Sequence, residues 1–196
     1  MNLLIIGSGA REHSFAWKIF NSNHDIKIFV TNPNAGISKI SICLDVDIND
    51  FASIKRTIIM NSIDIVLIGP EIPLINGISD FIQNEDTLQN VCVIGPSQRG
   101  SMLEGSKEFA KKFMAKYKIP TASYRSFNKS TFDQAVRFIN KNTPPYVLKA
   151  DGPAAGKGVI IVNDPDEAVK NLEAMLLNSK FGKSSEKVVI EEFLSG

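Results

Sequence analysis

The stretch Asp151–Val159, DGPAAGKGV, holds three glycines and one lysine within the seven residues 152–158. Glycines let a backbone approach a ligand closely and adopt left-handed φ, and N–H groups presented that way bind phosphate. The stretch is not a Walker A loop. That motif needs a glycine where Asp151 stands and a Ser or Thr, to hold magnesium, where Gly158 stands. A Walker loop also runs from strand to helix, whereas VIIV after Gly158 reads as a strand. The residues fit a glycine-rich flap between two antiparallel strands, closing over phosphates. The competing reading is a hairpin turn with an incidental lysine.

A second glycine loop, GSGARE (7–12), follows one apolar run and opens a helical one. Its third glycine position holds Glu12, and the second strand ends FVTNPN with no acid for a ribose 2′-OH. Both features disfavour a nicotinamide or flavin dinucleotide. A helix N-terminus still attracts a lone phosphate, and Arg11 adds a charge-assisted donor; the alternative is a tight turn with a surface arginine. Lys149 interrupts an apolar strand, so it must be paired or face a ligand. Lys107 stands at a helix start, where the dipole disfavours a cation. Glu191 and Glu192 close the last strand as ligand contacts or as edge charges. His13 and His24 show no metal-ligand spacing, and His13 reads as a hydrogen-bonded helix residue.

These residues need a scaffold. Strands are expected over 2–7, 26–30, 63–69 and 91–95, and helices over 11–20, 50–60 and 74–83. That alternation predicts βαβ crossovers, a parallel sheet and helices on both faces. Three strands end in glycine, and ligands bind at the carboxyl ends of such sheets. After residue 100 the pattern changes. Ser106 is expected to cap a helix over 107–117, Ser130 one over 131–140, and Asp164 one starting at Pro165. Strands over 145–150, 158–162 and 187–193 include an antiparallel hairpin around the glycine flap. The fold class is α/β, with a Rossmann-like parallel-sheet domain over 1–103 and a partial α+β domain over 104–196.

The 196 residues carry 22 Lys plus Arg against 21 Asp plus Glu, a net charge of +1. Neither sign dominates, which disfavours nucleic-acid and membrane-surface partners. Cys43 and Cys92 lie in apolar stretches without CxxC spacing and are expected as buried thiols. Neither a signal peptide nor a transmembrane run is visible, so a cytoplasmic protein is expected.

The chain resembles the phosphoribosylamine–glycine ligase (glycinamide ribonucleotide synthetase) family over its whole length. GSGAREH, NAG (34–36), GPEIPL (69–74), LEGSK (103–107), KIPTA (118–122), LKADGPAAGKGV (148–159) and VIEEFLSG (189–196) follow in that family's order. The later motifs alone mark an ATP-grasp enzyme; the earlier ones narrow it. The resemblance implies an ATP-grasp second domain and ligation of glycine to 5-phosphoribosylamine through glycyl phosphate. It implies Lys107 and Lys149 as catalytic residues on the ATP phosphates. Gly152, Ala155, Gly156, Lys157 and Gly158 would form the flap, and Glu191, Glu192 and Leu194 the adenine pocket. Gly9, Arg11, Asn34, Gly36 and Glu71 would hold the phosphoribosylamine. Mg2+ or Mn2+ would accompany ATP, with its ligands and the glycine site beyond residue 196, and the protein would be a monomer. Two features depart from the family. Pro153 replaces an expected leucine, and family members are roughly twice as long, which implies that this chain alone does not ligate and leaves apolar surface open on the 187–193 strand. A non-catalytic nucleotide- or phosphosugar-binding module is the alternative.

Overall fold

The computed structural model describes residues 1–195. The chain divides into two compact units, one ending at Ser101 and the other beginning at Met102.

The first unit is a five-stranded sheet in the order β3-β2-β1-β4-β5, with every neighbouring pair parallel. Its strands are β1 (Asn2–Ile6), β2 (Lys27–Thr31), β3 (Ile42–Leu44), β4 (Ile65–Ile68) and β5 (Cys92–Ile94). β1 lies at the centre, and Leu4, Ile5 and Ile6 are fully buried. A strand covered on both faces reads as a continuous apolar run, and β1 does. Leu3 and Ile5 pack with Ala16 of helix α1 (Ala10–Phe20), beside Ile28 and Val30 of β2. Leu4 and Ile6 pack on the other side with Ile54 and Ile58 of α2 (Phe51–Met60). The expected parallel sheet with helices on both faces is therefore present. β1 is followed by β2 on one side and β4 on the other, so the strand order switches at β1, and the Gly7 and Gly69 loops leave from that point.

Three expectations for this unit are corrected. The helix over 74–83 is two helices, α3 (Glu71–Ile75) and α4 (Ile78–Asn84), because Gly77 adopts φ 94° and breaks the hydrogen-bond ladder between them. β3 is an additional strand of only three residues. Cys43 and Cys92 are exposed, not buried. Both lie on the short edge strands β3 and β5, where an apolar sequence run is not matched by packing on both faces.

The second unit holds a four-stranded antiparallel sheet in the order β6-β9-β7-β8. Helix α5 (Gln98–Gly105) precedes α6 (Lys107–Lys116) and β6 (Tyr124–Asn128), and α7 (Phe132–Lys141) leads to β7 (Tyr146–Ala150). β8 (Val159–Val162), α8 (Pro165–Leu176) and β9 (Lys187–Glu192) complete it. Tyr146, Leu148 and Ala150 of β7 and Val188 and Ile190 of β9 form one core with α7 and α8. The expected β7–β8 hairpin is present. Ser106 caps α6 by accepting from Phe109 N at 3.1 Å, and Asp164 caps α8 by accepting from Glu167 N at 2.8 Å.

Ser130 does not cap α7. Asn128 Oδ1 accepts from Ser130 N at 3.0 Å, and a 3-10 turn over Lys129–Thr131 is interposed before the helix. The asparagine carbonyl reaches its own turn first. The apolar surface expected on the 187–193 strand is open only at Phe193, which is 46% exposed. Val188, Val189, Ile190 and Glu191 are buried, because β9 lies between β6 and β7 and not at an edge. Among the described residues no helix is long and apolar enough to cross a membrane.

Replacing Ile5 by Ala removes fully buried volume from the central strand and is expected to cost about 2–5 kcal/mol. Met60→Ala, at a residue 82% exposed, is expected to stay within about 0.5 kcal/mol. Urea unfolding of the two variants measures the contrast.

Candidate functional site

In the second unit, α6, the 120–122 segment and strands β7, β8 and β9 enclose an open cleft of about 500 Å³. Lys107, Lys111, Lys149 and Glu191 line it, with Val159 and Leu194 as apolar wall. Glu191 and Lys149 come from neighbouring antiparallel strands, where Val147 opposes Glu191 and Lys149 opposes Val189. Alternation puts both side chains on one face of the sheet. Lys149 Nζ donates to Glu191 Oε2 at 2.9 Å. Lys149 is thus the paired, cleft-facing lysine that its place in an apolar strand requires.

The more deeply buried lysine is Lys111. Its Nζ donates to Thr121 Oγ1 at 2.8 Å and to Ala122 O at 3.0 Å, and lies 3.1 Å from Glu191 Oε2. An ammonium has three donors, and all three have acceptors here. Lys111 is therefore closed to a ligand, whereas Lys149 keeps donor capacity on the cleft side. Sequence reading missed Lys111. The available signal was the α6 stripe Lys107, Ala110, Lys111, Met114, which shares one helix face.

Lys107 is the least compensated cation of the three. Its Nζ makes one long contact, 3.4 Å to Gly152 O. Burial holds its pKa below the ordinary 10.5, the nearby charge of Lys149 adds to that effect, and Asp151 and Glu191 oppose it. An anion entering the cleft would reverse the shift.

The flap is built from its first residue. Asp151 accepts from Ser106 Oγ and from Glu108 N, the latter at 2.7 Å, while its carbonyl accepts from Lys107 N at 3.1 Å. The residue that spoils the Walker pattern thus fixes the start of α6. Gly152 donates to Ser184 O at 3.0 Å, and a Cβ on it would meet Ser184 Cα at 2.9 Å, so this glycine answers a packing need. Ala155 and Gly156 are consecutive left-handed residues, at φ 47° and 77°. Nothing lies within 4 Å of a Cβ placed at Gly156. Backbone N–H groups in such a turn form an anion-holding concavity. Lys157 is exposed beside it. Gly158 closes the turn, its carbonyl accepting from Ala150 N at 2.8 Å.

The two glutamates of β9 separate. Glu192 turns away from the cleft, its Oε1 accepting from Ser123 N at 2.9 Å, and that bond lowers its pKa. Its side chain is not part of the cleft wall. Leu194 is, although it is 64% exposed. Nearby, Glu108 binds Lys187 of β9 and Lys112 of its own helix. The hydrogen bond from Lys187 is the main cause holding the Glu108 pKa below its ordinary 4.5, and the same bond raises Lys187.

In the first unit, Gly9, Arg11, Asn34, Gly36 and Glu71 gather around the N-terminus of α1. Arg11 lies 3.9 Å from Glu71 Oε2 and 3.5 Å from Glu12 Oε1. Asn34 Nδ2 donates to Ser8 O at 2.8 Å, and its Oδ1 accepts from Gly36 N and Ile37 N. Asn34 therefore joins two loops instead of presenting a free amide. Gly36 leaves room for the His13 ring, with which a Cβ would collide, a role for His13 that sequence reading did not give.

Residues 1–104 match the N domain of phosphoribosylglycinamide synthetase, and residues 105–196 match its ATP-grasp (A) domain. A phosphoribosylamine–glycine ligase of Caldanaerobacter subterraneus subsp. tengcongensis is 39% identical over 196 residues, all of this chain and 46% of that relative. The crystal structure of phosphoribosylamine–glycine ligase from Thermotoga maritima has a TM-score of 0.77 at 29% identity, covering 100% of this chain and 44% of that one. The biotin carboxylase domain of Hydrogenobacter thermophilus 2-oxoglutarate carboxylase has a TM-score of 0.71 at 18% identity, covering 99% and 44%, and shares the fold. The chain thus spans less than half the length of these relatives.

Lys111→Met leaves Glu191 with one cation and strands two acceptors. Breaking a buried pair from one side costs about 3–5 kcal/mol, and that loss is expected in urea unfolding. Glu108 gives a second outcome. Its folded pKa is depressed, so its contribution is present above its unfolded value of 4.5 and is lost as pH falls through the lower folded value. The urea midpoint should fall with acidification in that window, and Glu108→Gln should flatten the fall.

Proposed function

The chain belongs to the phosphoribosylglycinamide synthetase family, and from that premise we propose that it serves the ATP-dependent ligation of glycine to 5-phosphoribosylamine. In this reading a glycine carboxylate oxygen attacks the γ-phosphorus of ATP, and the bond to ADP breaks. The amine of phosphoribosylamine then attacks the carbonyl carbon of glycyl phosphate. Phosphate leaves, the nitrogen loses a proton, and glycinamide ribonucleotide forms, an intermediate of purine biosynthesis.

The observation that carries the reading is the cleft of the second unit, with one under-compensated lysine, one lysine held by Glu191 and an open glycine turn on the strand connection. Phosphoryl transfer is catalysed chiefly by positioning and by neutralising charge on the transferring group. Lys107 and Lys149 would supply that charge. Gly152, Ala155, Gly156, Lys157 and Gly158 would cover the phosphates. Glu191, Leu194 and the backbone at Glu192 would form the adenine side. In the first unit Arg11 and the α1 terminus would take the phosphate of phosphoribosylamine, bordered by Gly9 and Glu71, with Asn34 and Gly36 shaping the wall. Mg2+ or Mn2+ would accompany ATP and supply positive charge for the phosphoryl transfer. Among the described residues no group of three His, Cys, Asp or Glu could hold a metal, and we assign its ligands to no residue of this chain. We place the reaction in the cytoplasm, on a monomer.

Activity is read as ADP release with ATP, Mg2+, glycine and freshly made phosphoribosylamine, in a protein carrying this chain. Lys149→Met is expected to lower kcat by about 10²–10³, the scale for removing one charge-stabilising donor. Unchanged turnover would sink the assignment. Arg11→Ala should weaken phosphoribosylamine by roughly 1–3 kcal/mol, seen in KM with kcat little changed. ATP affinity has a pH signature of its own. The charged form of Lys107 binds, so affinity is full below its depressed pKa and falls as pH rises through it toward 10.5. Calorimetry should show that alkaline limb in the parent and lose it in Lys107→Met.

A further inference from the structure

Glu12 stands where a dinucleotide loop would have its third glycine, and it is buried, with its side chain 5% exposed. That glycine normally lets the helix pack close to the strand while the first-turn backbone meets a pyrophosphate. Here the space is used by a carboxylate. Glu12 Oε2 accepts from Gly9 N at 2.6 Å, taking one of the free donors at the helix start. Three glycines on two loops make room for it. A Cβ on Gly9 would stand 2.8 Å from Oε2, one on Gly7 would stand 3.0 Å from Cγ, and one on Gly69 would collide with Oε1. Gly7 is also held at φ 111°, which a side chain would strain.

We propose that Glu12 is a specificity-determining residue. Its carboxylate occupies the place of a second phosphate at the α1 terminus and excludes diphosphates from the first unit. Two observations converge on this. The Gly9 N–H, which a pyrophosphate would need, is already bonded. Oε1 is buried without a hydrogen bond and fills the loop beside Arg11, 3.5 Å from its Nε. What is left for a ligand is Arg11, whose side chain is 59% exposed, and the first-turn N–H groups beyond Gly9. That remainder fits one phosphate group. The exclusion of diphosphates stands independently of the proposed ligase activity, and only the identity of the accepted phosphomonoester rests on it.

The test follows backbone amide signals of Gly9 and Arg11 by NMR during titration with inorganic pyrophosphate and, separately, ribose 5-phosphate. In the parent chain pyrophosphate is expected to leave Gly9 unmoved. In Glu12→Ala the Gly9 signal should shift saturably, with pyrophosphate affinity raised at least about tenfold, equal to about 1.4 kcal/mol. A parent Gly9 signal that already saturates with pyrophosphate would overturn the proposal, as would a folded Glu12→Ala with no gain. If that variant does not fold, Glu12→Ser, whose side chain is too short to fill the carboxylate's place, is titrated instead, and the same gain or its absence decides. Ribose 5-phosphate should move Arg11 in the parent. Its failure alone would count against the phosphosugar reading and leave the Glu12 assignment standing.

Discussion

One carboxylate oxygen organises the second unit. Glu191 Oε2 receives Lys111 from α6 and Lys149 from β7, at 3.1 and 2.9 Å. A carboxylate buried alone would carry a large desolvation cost, and one cation in such surroundings often only breaks even. Two cations and a satisfied set of neighbours change that balance. Lys111 gives its other donors to Thr121 and Ala122, so the same cluster that pairs with Glu191 also fixes the 120–122 segment against the helix. Lys149 stays partly solvated. The result is a division of labour: one lysine closes the structure, and the other holds charge at the cleft without being free to wander.

Glycine serves two physical needs in this chain, and sequence alone does not tell them apart. Gly7, Gly9 and Gly69 make room for Glu12, Gly36 makes room for His13, and Gly152 makes room for Ser184. Gly156, like Gly182 outside the flap, combines left-handed φ with open space around it. A glycine-rich stretch therefore overstates how much backbone faces a ligand. In the flap, the part proposed to meet phosphate is the turn around Ala155 and Gly156, and the flanking glycines are its mounting.

The fold was legible wherever local pattern and packing agree. The continuous apolar run of β1 announced a strand covered on both faces, and Ser106 and Asp164 announced helix starts that their hydroxyl and carboxylate do cap. Illegible elements had weak local signals. β6 reads YRSFN, with only Phe127 fully buried, and exists because β9 offers it a partner. The break at Gly77 was hidden inside a helical period. The site was legible in its charged residues and not in their partners. Lys149 was conspicuous in a strand, whereas Lys111 looked like one of several helix lysines. Glu191 and Glu192 looked equivalent, yet strand alternation sends one into the cleft and the other to Ser123.

Asp151 links these threads. It ends β7's run into the flap, and it holds the first turn of α6 through Ser106, Lys107 N and Glu108 N. Gly152 and Pro153 are tied in turn to Ser184 by Gly152 N–H donation and Ser184 Oγ donation. Gly158 is tied to Ala150 on the other side. The segment between those anchors is only Ala154–Lys157, with its own Lys157 N to Ala154 O turn bond. The left-handed residues Ala155 and Gly156 lie at the middle of that segment. Left-handed φ costs a non-glycine residue of order 1–3 kcal/mol, so Ala155 at φ 47° stores part of what a different turn would release. Lys107, fixed through the helix start, would stay in place while the turn changes. The cleft therefore joins lysines set by the helix start and by β7 to a short glycine rim, the arrangement on which the proposed phosphate binding rests.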